Sequence, residues 1–436
     1  MKTFYKLLAY ALASATTNNF IWFALTFWIY LGTKSVISTA FIGGIYLVAT
    51  AGLGLWFGAL VDNHRKKSIM LASSATSLLM FSLAFIIYIA TPKEMFTSIS
   101  SPILWIFALT LMAGVVSGNI INIAIPTLIT HLVNEKRRDK ANGMYGAVFG
   151  VSFAITSIAS GFILGFYGLF WVLVVALAFT TAAIIFLLLI KIPEKKIIHT
   201  ADGASRKIDI KGTFKVVRVI PGLFALIFFT TFNNFLGGVF MALMDAYGLS
   251  LMPVQAWGAF WGVVSFGFIF GGLFIAKWGL GKNPLSTLFK VNMIIWIVCI
   301  IFPLQASIIL LGIGSLVWMA LYPFIEATEQ TIIQKVVPPE RQGRVFGFAQ
   351  SIEQAASPLT AFLIGPIAQL FFIPFMTTGN GIELIGSWFG TGTGRGVALV
   401  FISAGIIGLI VTLIAMRSNS YRLLAQRYQI KEKQKA

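Results

Sequence analysis

The chain alternates between long apolar runs and short polar stretches that are rich in Lys and Arg. Most of the apolar runs reach about 20 residues, the length that a helix needs to cross the hydrocarbon core of a bilayer. Twelve spans are predicted: 7–31, 36–60, 68–90, 103–132, 141–166, 169–192, 222–244, 255–278, 284–304, 307–337, 344–372 and 396–416. The span at 307–337 is longer than one crossing, so it is expected to tilt or to extend beyond the bilayer.

The pattern therefore predicts an all-α membrane protein with twelve transmembrane helices in two six-helix bundles. The first bundle is predicted at 1–192, a cytoplasmic linker at 193–221, the second bundle at 222–417 and a basic cytoplasmic tail at 418–436. Within the linker, residues 208–220 alternate apolar and basic positions. They indicate either a short helix on the inner leaflet or a solvated linker.

The composition supports a membrane protein. Of the 436 residues, 58% are hydrophobic and only 11% are charged, whereas about a quarter of the residues of a soluble domain are charged. Lys2 and Lys6 precede an apolar run that is predicted to be the first span rather than a cleaved signal peptide. Cys299 is the only cysteine, which excludes an internal disulfide and a cysteine-based zinc site.

The net charge of +18 is concentrated in a few short stretches, at 64–67, at 135–140 and after Met416. Such clusters mark cytoplasmic loops, so both termini are predicted to be cytoplasmic. Only Lys34, Lys93 and Arg395 fall on the predicted outer side. Attraction to the anionic inner leaflet accounts for the basic balance, and no nucleic-acid-binding motif is present.

Two asparagine pairs point to an internal duplication. Asn18 and Asn19 match Asn233 and Asn234 at an offset of 215 residues. Residues 58–62 match 272–276 at an offset of 214, and residues 132–143 match 336–347 at 204. Three matches in the same order indicate a repeated six-helix unit, and such repeats place a binding site at their interface near the middle of the bilayer.

The four paired amides are candidates for a substrate cavity. Adjacent residues of a helix point about 100° apart, so one amide of a pair faces a cavity while the other bonds a neighbouring helix. The alternative is that both amides only hold helices together. The complete predicted cavity set is Thr16, Asn18, Asn19, Thr230, Asn233, Asn234, Gln330 and Gln354.

Acidic residues inside predicted spans occur only in the second half, at Glu326, Glu329 and Glu353. An ionised carboxylate at the bilayer centre costs at least about 2.5–3.5 kcal/mol, so each is expected to face a cavity, pair with a cation or hold a proton. Glu326 and Glu329 share a helix face. We predict that Glu326 couples transport to protons or binds a cation, with Glu353 and Glu329 as further candidates. The alternative is structural pairing with Lys335, Arg341 or Arg344.

The loop after the second span reads GALVDNHRKKSIM, at 58–70. It resembles the signature of the major facilitator superfamily, a Gly-x-Leu-x-Asp sequence followed by basic residues. The matching residues are Gly58, Leu60, Asp62, Arg65, Lys66 and Lys67. Residues 336–348 and 355–359 resemble the macrolide-efflux type of drug:proton antiporter within that superfamily. This resemblance implies that a single chain suffices for transport.

Gly58 lacks a side chain and so permits two helices to approach closely. Asp62 is expected to pair with neighbouring cations or with the positive N-terminal end of a helix. The resemblance implies that this partner is the eleventh helix and that the contact latches an outward-facing state. The predicted cytoplasmic gate is Gly58, Asp62, Arg65, Lys66, Arg341 and Arg344. The alternative is a basic loop that only sets the orientation of the chain.

Two features depart from proton antiporters of that superfamily. The fourth span contains no arginine, and residues 150–161 of the fifth contain no proline. Proton antiport therefore does not follow from those motifs. The sequence FGTGTGRG at 389–396 lacks the ending of a phosphate-binding P-loop and is predicted to be a flexible external loop.

The function favoured by these observations is export of amphipathic small molecules by alternating access, in exchange for protons. The alternative is transport of a specific metabolite, siderophore or lysolipid with different coupling. An enzyme is not expected, because the short basic loops hold no catalytic constellation. No cofactor and no metal are expected. The predicted partners are a small-molecule substrate, protons and membrane lipids, and a monomer in a bacterial inner membrane is predicted.

Overall fold

The computed structural model describes residues 2–33, 36–194 and 210–433. Helices account for most of these residues, and no strand occurs among them. The α-helices are α1 (Lys2–Thr33), α2 (Val36–Asn63), α3 (Lys66–Ala90), α4 (Pro102–Gly118), α5 (Ile121–Leu132), α6 (Arg138–Leu189), α7 (Ile210–Val219), α8 (Leu223–Leu251), α9 (Val254–Val264), α10 (Phe266–Trp278), α11 (Pro284–Ile301), α12 (Ile308–Val336), α13 (Gln342–Ile367), α14 (Ile373–Thr377), α15 (Gly381–Phe389), α16 (Thr393–Arg417) and α17 (Asn419–Lys433). The predicted all-α architecture is confirmed.

Ten segments of the described chain are long and apolar enough to cross a membrane. They coincide with predicted spans, and the fifth and sixth predicted spans lie together in one segment, Glu135–Leu189. Within it, Gly168 has φ 80° and ψ 176°, so it separates two helices at the predicted boundary. Helix α1, which includes the polar residues at 14–19, is not among the ten. The count of twelve spans stays a prediction.

Two predicted spans are not continuous helices. The span at 103–132 divides into α4 and α5, and the span at 255–278 divides into α9 and α10. Carbonyl groups near each break accept hydrogen bonds from side-chain hydroxyl groups. Ser77 Oγ donates to Gly114 O at 2.7 Å, Ser73 Oγ donates to Ser117 O at 2.8 Å, and Ser265 Oγ donates to Gly262 O at 2.7 Å.

The second half contains helices that the hydropathy pattern did not predict. Helix α13 continues through a π-helical turn, Ala368–Phe372, into α14, and α15 follows before α16 begins. The predicted loop at 389–396 is therefore partly helical. The predicted basic tail forms α17, and the linker contains the short helix α7. The position of α7 on the inner leaflet stays a prediction. The remaining linker residues, 195–209, lie outside the described residues.

The chain divides into two compact units. Unit 1 comprises the described residues of Met1–Thr213 together with Val337–Ser351. In it, α1 packs against α4 and α6, and α3 packs against the same two helices. The first turns of α13 belong to this unit.

Unit 2 comprises Phe214–Val336 and the described residues of Ile352–Ala436. Helix α11 packs against α12 and α16, and α10 packs against α12. Its apolar core contains Tyr247, Trp296 and Phe401. The rings of Phe240 and Phe401 stack there with their centres 4.8 Å apart.

Candidate functional site

The carboxylate of Asp62 caps the N-terminus of α13 inside unit 1. Oδ1 accepts a hydrogen bond from the amide of Gly343 at 2.7 Å, and Oδ2 accepts one from the amide of Arg344 at 2.8 Å. Arg344 Nε lies 4.0 Å from Oδ2. Asp62 is 8% exposed. Because the first amides of a helix have no helical acceptor and form its positive end, a buried carboxylate is stabilised there.

Glycines allow α2 to approach α13 this closely. A Cβ atom at Gly58 would overlap the carbonyl oxygen of Gly343, and one at Gly347 would overlap the carbonyl oxygen of Gly54. The predicted gate residues Arg65 and Arg341 are both exposed. The structure therefore brings together Gly58, Asp62 and Arg344 from the predicted gate.

A second carboxylate caps a helix in unit 1, and sequence reasoning missed it. Glu194 accepts hydrogen bonds from the amides of Lys66 at 2.7 Å and Lys67 at 2.8 Å, at the start of α3. Lys67 Nζ donates in return to the carbonyl groups of Leu188 and Ile190. The available signal was an acid directly after the sixth predicted span, in an otherwise basic stretch.

Three of the four paired amides bond a neighbouring side chain or a carbonyl of their own helix. Asn19 Nδ2 donates to Ser152 Oγ at 3.1 Å and so joins α1 to α6. Asn233 accepts from Trp296 Nε1 at 3.0 Å and donates to the carbonyl of Phe229 at 2.7 Å. Asn234 Nδ2 donates to the carbonyl of Thr230 at 3.1 Å. These contacts agree with the helix-packing alternative for the three amides.

Asn18 lies against the end of α4, because a Cβ atom at Gly118 would overlap its amide group. Its side chain and that of Thr16 are half-buried. Gln354 is also half-buried, whereas Gln330 has a buried Oε1 without a hydrogen-bond partner. These residues are the part of the predicted cavity set whose amide or hydroxyl groups are least committed to helix packing.

Two acids of unit 2, Glu329 and Glu353, lie close to Thr230. Its Oγ1 donates to Glu353 Oε1 at 2.6 Å, which joins α8 to α13. The carboxyl group of Glu329 is a close neighbour of both Glu353 and Thr230. Glu329 is 9% exposed, although it lies on a membrane-spanning helix. Thr230, Glu329 and Glu353, here named the carboxyl cluster, thus come from three different helices.

Glu326 lies one turn before Glu329 on α12, and its side chain is exposed. The hydroxyl of Tyr322 donates to Glu326 Oε1 at 3.2 Å. Two of the three cations that the structural alternative paired with these acids lie beside other groups. The Lys335 ammonium lies 3.8 Å from the centre of the Tyr428 ring, and Arg344 faces Asp62.

A polar cluster at the break between α4 and α5 was missed. Asn119 Nδ2 lies 3.0 Å from the hydroxyl of Tyr46 and 3.4 Å from Thr50 Oγ1. The Tyr46 ring lies 4.5 Å from that of Trp22, centre to centre. The available signal was an amide inside the fourth predicted span.

The offset of 204 residues relates this break to the second half of the chain. It places Asn119 on Pro323 and Asn122 on Glu326. Asn122 Oδ1 accepts from the hydroxyl of Tyr145 at 3.3 Å, much as Glu326 accepts from a tyrosine. The break between α4 and α5 therefore corresponds to the position of Pro323 within α12, and a polar side chain follows one turn later in each half.

Comparison with known proteins identifies the family. Residues 7–361 match the family model of the Major Facilitator Superfamily. The chain belongs to this superfamily. It is accordingly a multi-pass membrane protein that transports small molecules, and it is not an enzyme. No match was found among curated proteins.

Solved structures share the Major Facilitator Superfamily fold at low sequence identity. A bacterial homologue of the iron transporter ferroportin in an outward-facing state is 16% identical, with a TM-score of 0.72 over 96% of this chain and 100% of that one. The proton:xylose symporter XylE, bound to 6-bromo-6-deoxy-D-glucose, is 13% identical, with a TM-score of 0.63 over 95% and 96%. The human organic anion transporter MFSD10 is 11% identical, with a TM-score of 0.62 over 92% and 99%. These similarities establish the fold alone.

Proposed function

We propose that this chain is a secondary active transporter that exports amphipathic or hydrophobic small molecules in exchange for protons, by alternating access. The carboxyl cluster of unit 2 is the observation that carries the proposal. Glu353 accepts a hydrogen bond from Thr230 at 2.6 Å, and Glu329 is a close neighbour of both. Acids inside membrane-spanning helices are costly and typically mark ion or substrate pathways.

The cluster has the chemistry of a proton site. Two ionised carboxylates have no hydrogen to share, so a hydrogen bond between Glu329 and Glu353 requires one bound proton. Thr230 donates a hydrogen bond to Glu353 and so stabilises the ionised form of that group. The cluster therefore holds one proton or releases it, according to whether the two carboxyl groups stay in contact.

Exchange follows from competition for the same negative charge. Release of the proton leaves two carboxylates, with the exposed side chain of Glu326 one turn away. An amphipathic cation near Glu326 is attracted by that charge, and reprotonation weakens the attraction. Binding of substrate and binding of protons are then mutually unfavourable, which is the thermodynamic basis of an antiporter.

The contact of Asp62 with α13 is the proposed cytoplasmic latch. Helix α13 begins in unit 1 and continues into unit 2, so the chain passes from one unit to the other within this helix. Hydrogen bonds to a charged group contribute about 1.5–3 kcal/mol each. Two such bonds bias a conformational equilibrium strongly while remaining breakable during a transport cycle.

The wider assignment follows the same reasoning. Twelve spans and cytoplasmic termini are proposed, because the basic residues cluster in alternate short loops. A bacterial inner membrane is proposed as the location. The macrolide-efflux subgroup is proposed from residues 336–348 and 355–359. A monomer is proposed as the transporting form.

The test is flux measured in vesicles that contain the purified chain and carry an imposed proton gradient. Lipophilic cations, macrolides and lysolipids are supplied separately. The proposal expects substrate movement that reverses direction with the gradient and stops when a protonophore abolishes it. Flux that is indifferent to the gradient contradicts proton exchange. Gradient-driven flux of lysolipids alone favours the specific-substrate alternative.

A further inference from the structure

A glycine-rich segment forms the entrance to α16 in unit 2. Gly390 has φ 88° and Gly392 has φ 104°, backbone conformations that favour glycine. The amides of Arg395 and Gly396 both donate to the carbonyl of Gly392 at 3.1 Å. The amides of Thr393 and Gly394 therefore precede the first helical donors, and like those of any helix start they have no acceptor within the helix.

Arg395 places a buried cation beside this helix start. Its side chain is 5% exposed. Nη2 donates to the carbonyl of Leu304 at 2.8 Å, and the guanidinium carbon lies 3.8 Å from the centre of the Phe389 ring. Nε and Nη1 are buried without a hydrogen-bond partner, and the hydroxyl of Tyr247 is the other polar group beside the guanidinium. Within the described residues, no carboxylate forms an ion pair with Arg395.

The packing aims this side chain along the glycine segment. A Cβ atom at Gly390 would lie 3.5 Å from Cγ and Cδ of Arg395 and 3.6 Å from Nε. A Cβ atom at Gly392 would have no neighbour within 4 Å, so there is open space beside the backbone there. Thr391 and Thr393 are exposed, so this part of the segment is reachable from solvent.

Electrostatics makes the arrangement unfavourable as it stands. The N-terminus of a helix is its positive end, and Arg395 adds a full positive charge within the first turn. Each buried donor without a partner costs about 1–3 kcal/mol, and more when it is charged. A water molecule satisfies donors and leaves the charge unmatched, whereas an anion satisfies both requirements.

We propose that Arg395 and the start of α16 bind a phosphate group. Backbone amides at a helix N-terminus and a guanidinium group are the donors that proteins use for phosphate. The group comes either from a lipid headgroup, since α16 is a membrane-spanning helix and headgroups lie at the ends of such helices, or from free phosphate. This site is separate from the carboxyl cluster and does not depend on the direction or coupling of transport.

The experiment is thermal unfolding of the full-length chain in a neutral, phosphate-free detergent. Inorganic phosphate is titrated against potassium chloride at equal ionic strength. A short-chain phosphatidylglycerol is titrated in parallel against a glycolipid that lacks phosphate. The expected result is a saturable rise in Tm with a phosphate-bearing ligand and none with its matched control. A response to lipid alone identifies the headgroup as the source, and a response to both identifies the phosphate group itself.

Variants assign the response to the site. Arg395→Gln is expected to abolish it, whereas Arg417→Gln, which removes an exposed cation at the other end of α16, retains it. Thr393→Glu places a carboxylate at the helix start and is expected to raise Tm without ligand and to remove the response. That variant keeps the test decisive if Arg395→Gln fails to fold. Absence of a saturable response in the unmodified chain, or an undiminished response in Thr393→Glu, overturns the proposal.

Discussion

The carboxylate of Asp62 accepts the amide hydrogen of Gly343, 281 residues further along the chain, at 2.7 Å. The second carboxylate oxygen accepts the next amide, that of Arg344, at 2.8 Å. The last turn of α2 thereby provides the N-terminal cap of α13. This cap is asymmetric in the duplicated sequence, because the residue equivalent to Asp62 in the second half is Ala276.

Asp62→Asn is expected to slow transport while leaving expression unchanged. An asparagine side chain presents one acceptor oxygen and carries no charge. One of the two α13 amides therefore loses its acceptor, and the other keeps only a neutral acceptor. The state that holds this contact becomes less favourable by about 1.5–3 kcal/mol. Turnover in vesicles measures the effect, with Asp139→Asn as a control at the start of α6. Rates of uptake and efflux equal to those of the unmodified chain would show that the contact is not a latch.

Gly58→Ala is expected to reproduce the defect of Asp62→Asn. Its Cβ atom overlaps the carbonyl oxygen of Gly343, so the first turn of α13 must shift away from α2. Gly52→Ala is the matched control on the same helix, because a Cβ atom there meets nothing within 4 Å. Both changes act on one contact. The double variant of Gly58 and Asp62 should therefore be no slower than the slower of the two single variants. Additive losses in turnover would separate the two residues.

Glu326→Gln is expected to abolish efflux driven by a proton gradient. The amide keeps the size and hydrogen bonding of the side chain but holds no negative charge at any pH. Flux of a lipophilic cation in vesicles measures the loss. Glu383→Gln is the control, because it removes an exposed acid of α15 in the same unit. Full gradient-driven flux in the Glu326 variant would exclude this residue from coupling.

Thr230→Val is expected to reduce exchange several-fold, because it removes the hydroxyl that donates to Glu353 and keeps the side-chain shape. Without that donor, the ionised form of the carboxyl cluster is less stable and the proton is released less readily. Thr231→Val is the matched control, since among the described residues that hydroxyl bonds the carbonyl of Ile227 in its own helix. The pH profile of exchange distinguishes the two variants. Indistinguishable profiles would remove Thr230 from the proton site.

Glu194→Gln is expected to lower thermal stability without changing coupling. The glutamate accepts two amides at the start of α3, and loss of a helix cap costs about 0.5–2 kcal/mol. The Tm in detergent measures the change, and Glu340→Gln serves as a control because that acid is exposed. A loss of gradient dependence with an unchanged Tm would instead assign Glu194 to the transport cycle.

Most of the helices followed from the sequence because hydropathy is a local property. An apolar run of about 20 residues satisfies its backbone hydrogen bonds within itself, so it forms a membrane-spanning helix wherever it packs. The same local reading failed at Asn119, where the predicted span divides. There, side chains from α2 and α3 satisfy polar groups at the break, and no local pattern reports those partners.

The sequence by itself determined the all-helical class and the identity of the three acids within predicted spans. Only the tertiary structure decided which partners those residues have. Thr230 and Glu353 lie 123 residues apart in the chain, and their 2.6 Å contact depends on how α8 packs against α13. The physical reason is that transfer from water favours an apolar helix in the bilayer whatever its neighbours are, whereas a hydrogen bond forms only where donor and acceptor are brought within about 3 Å.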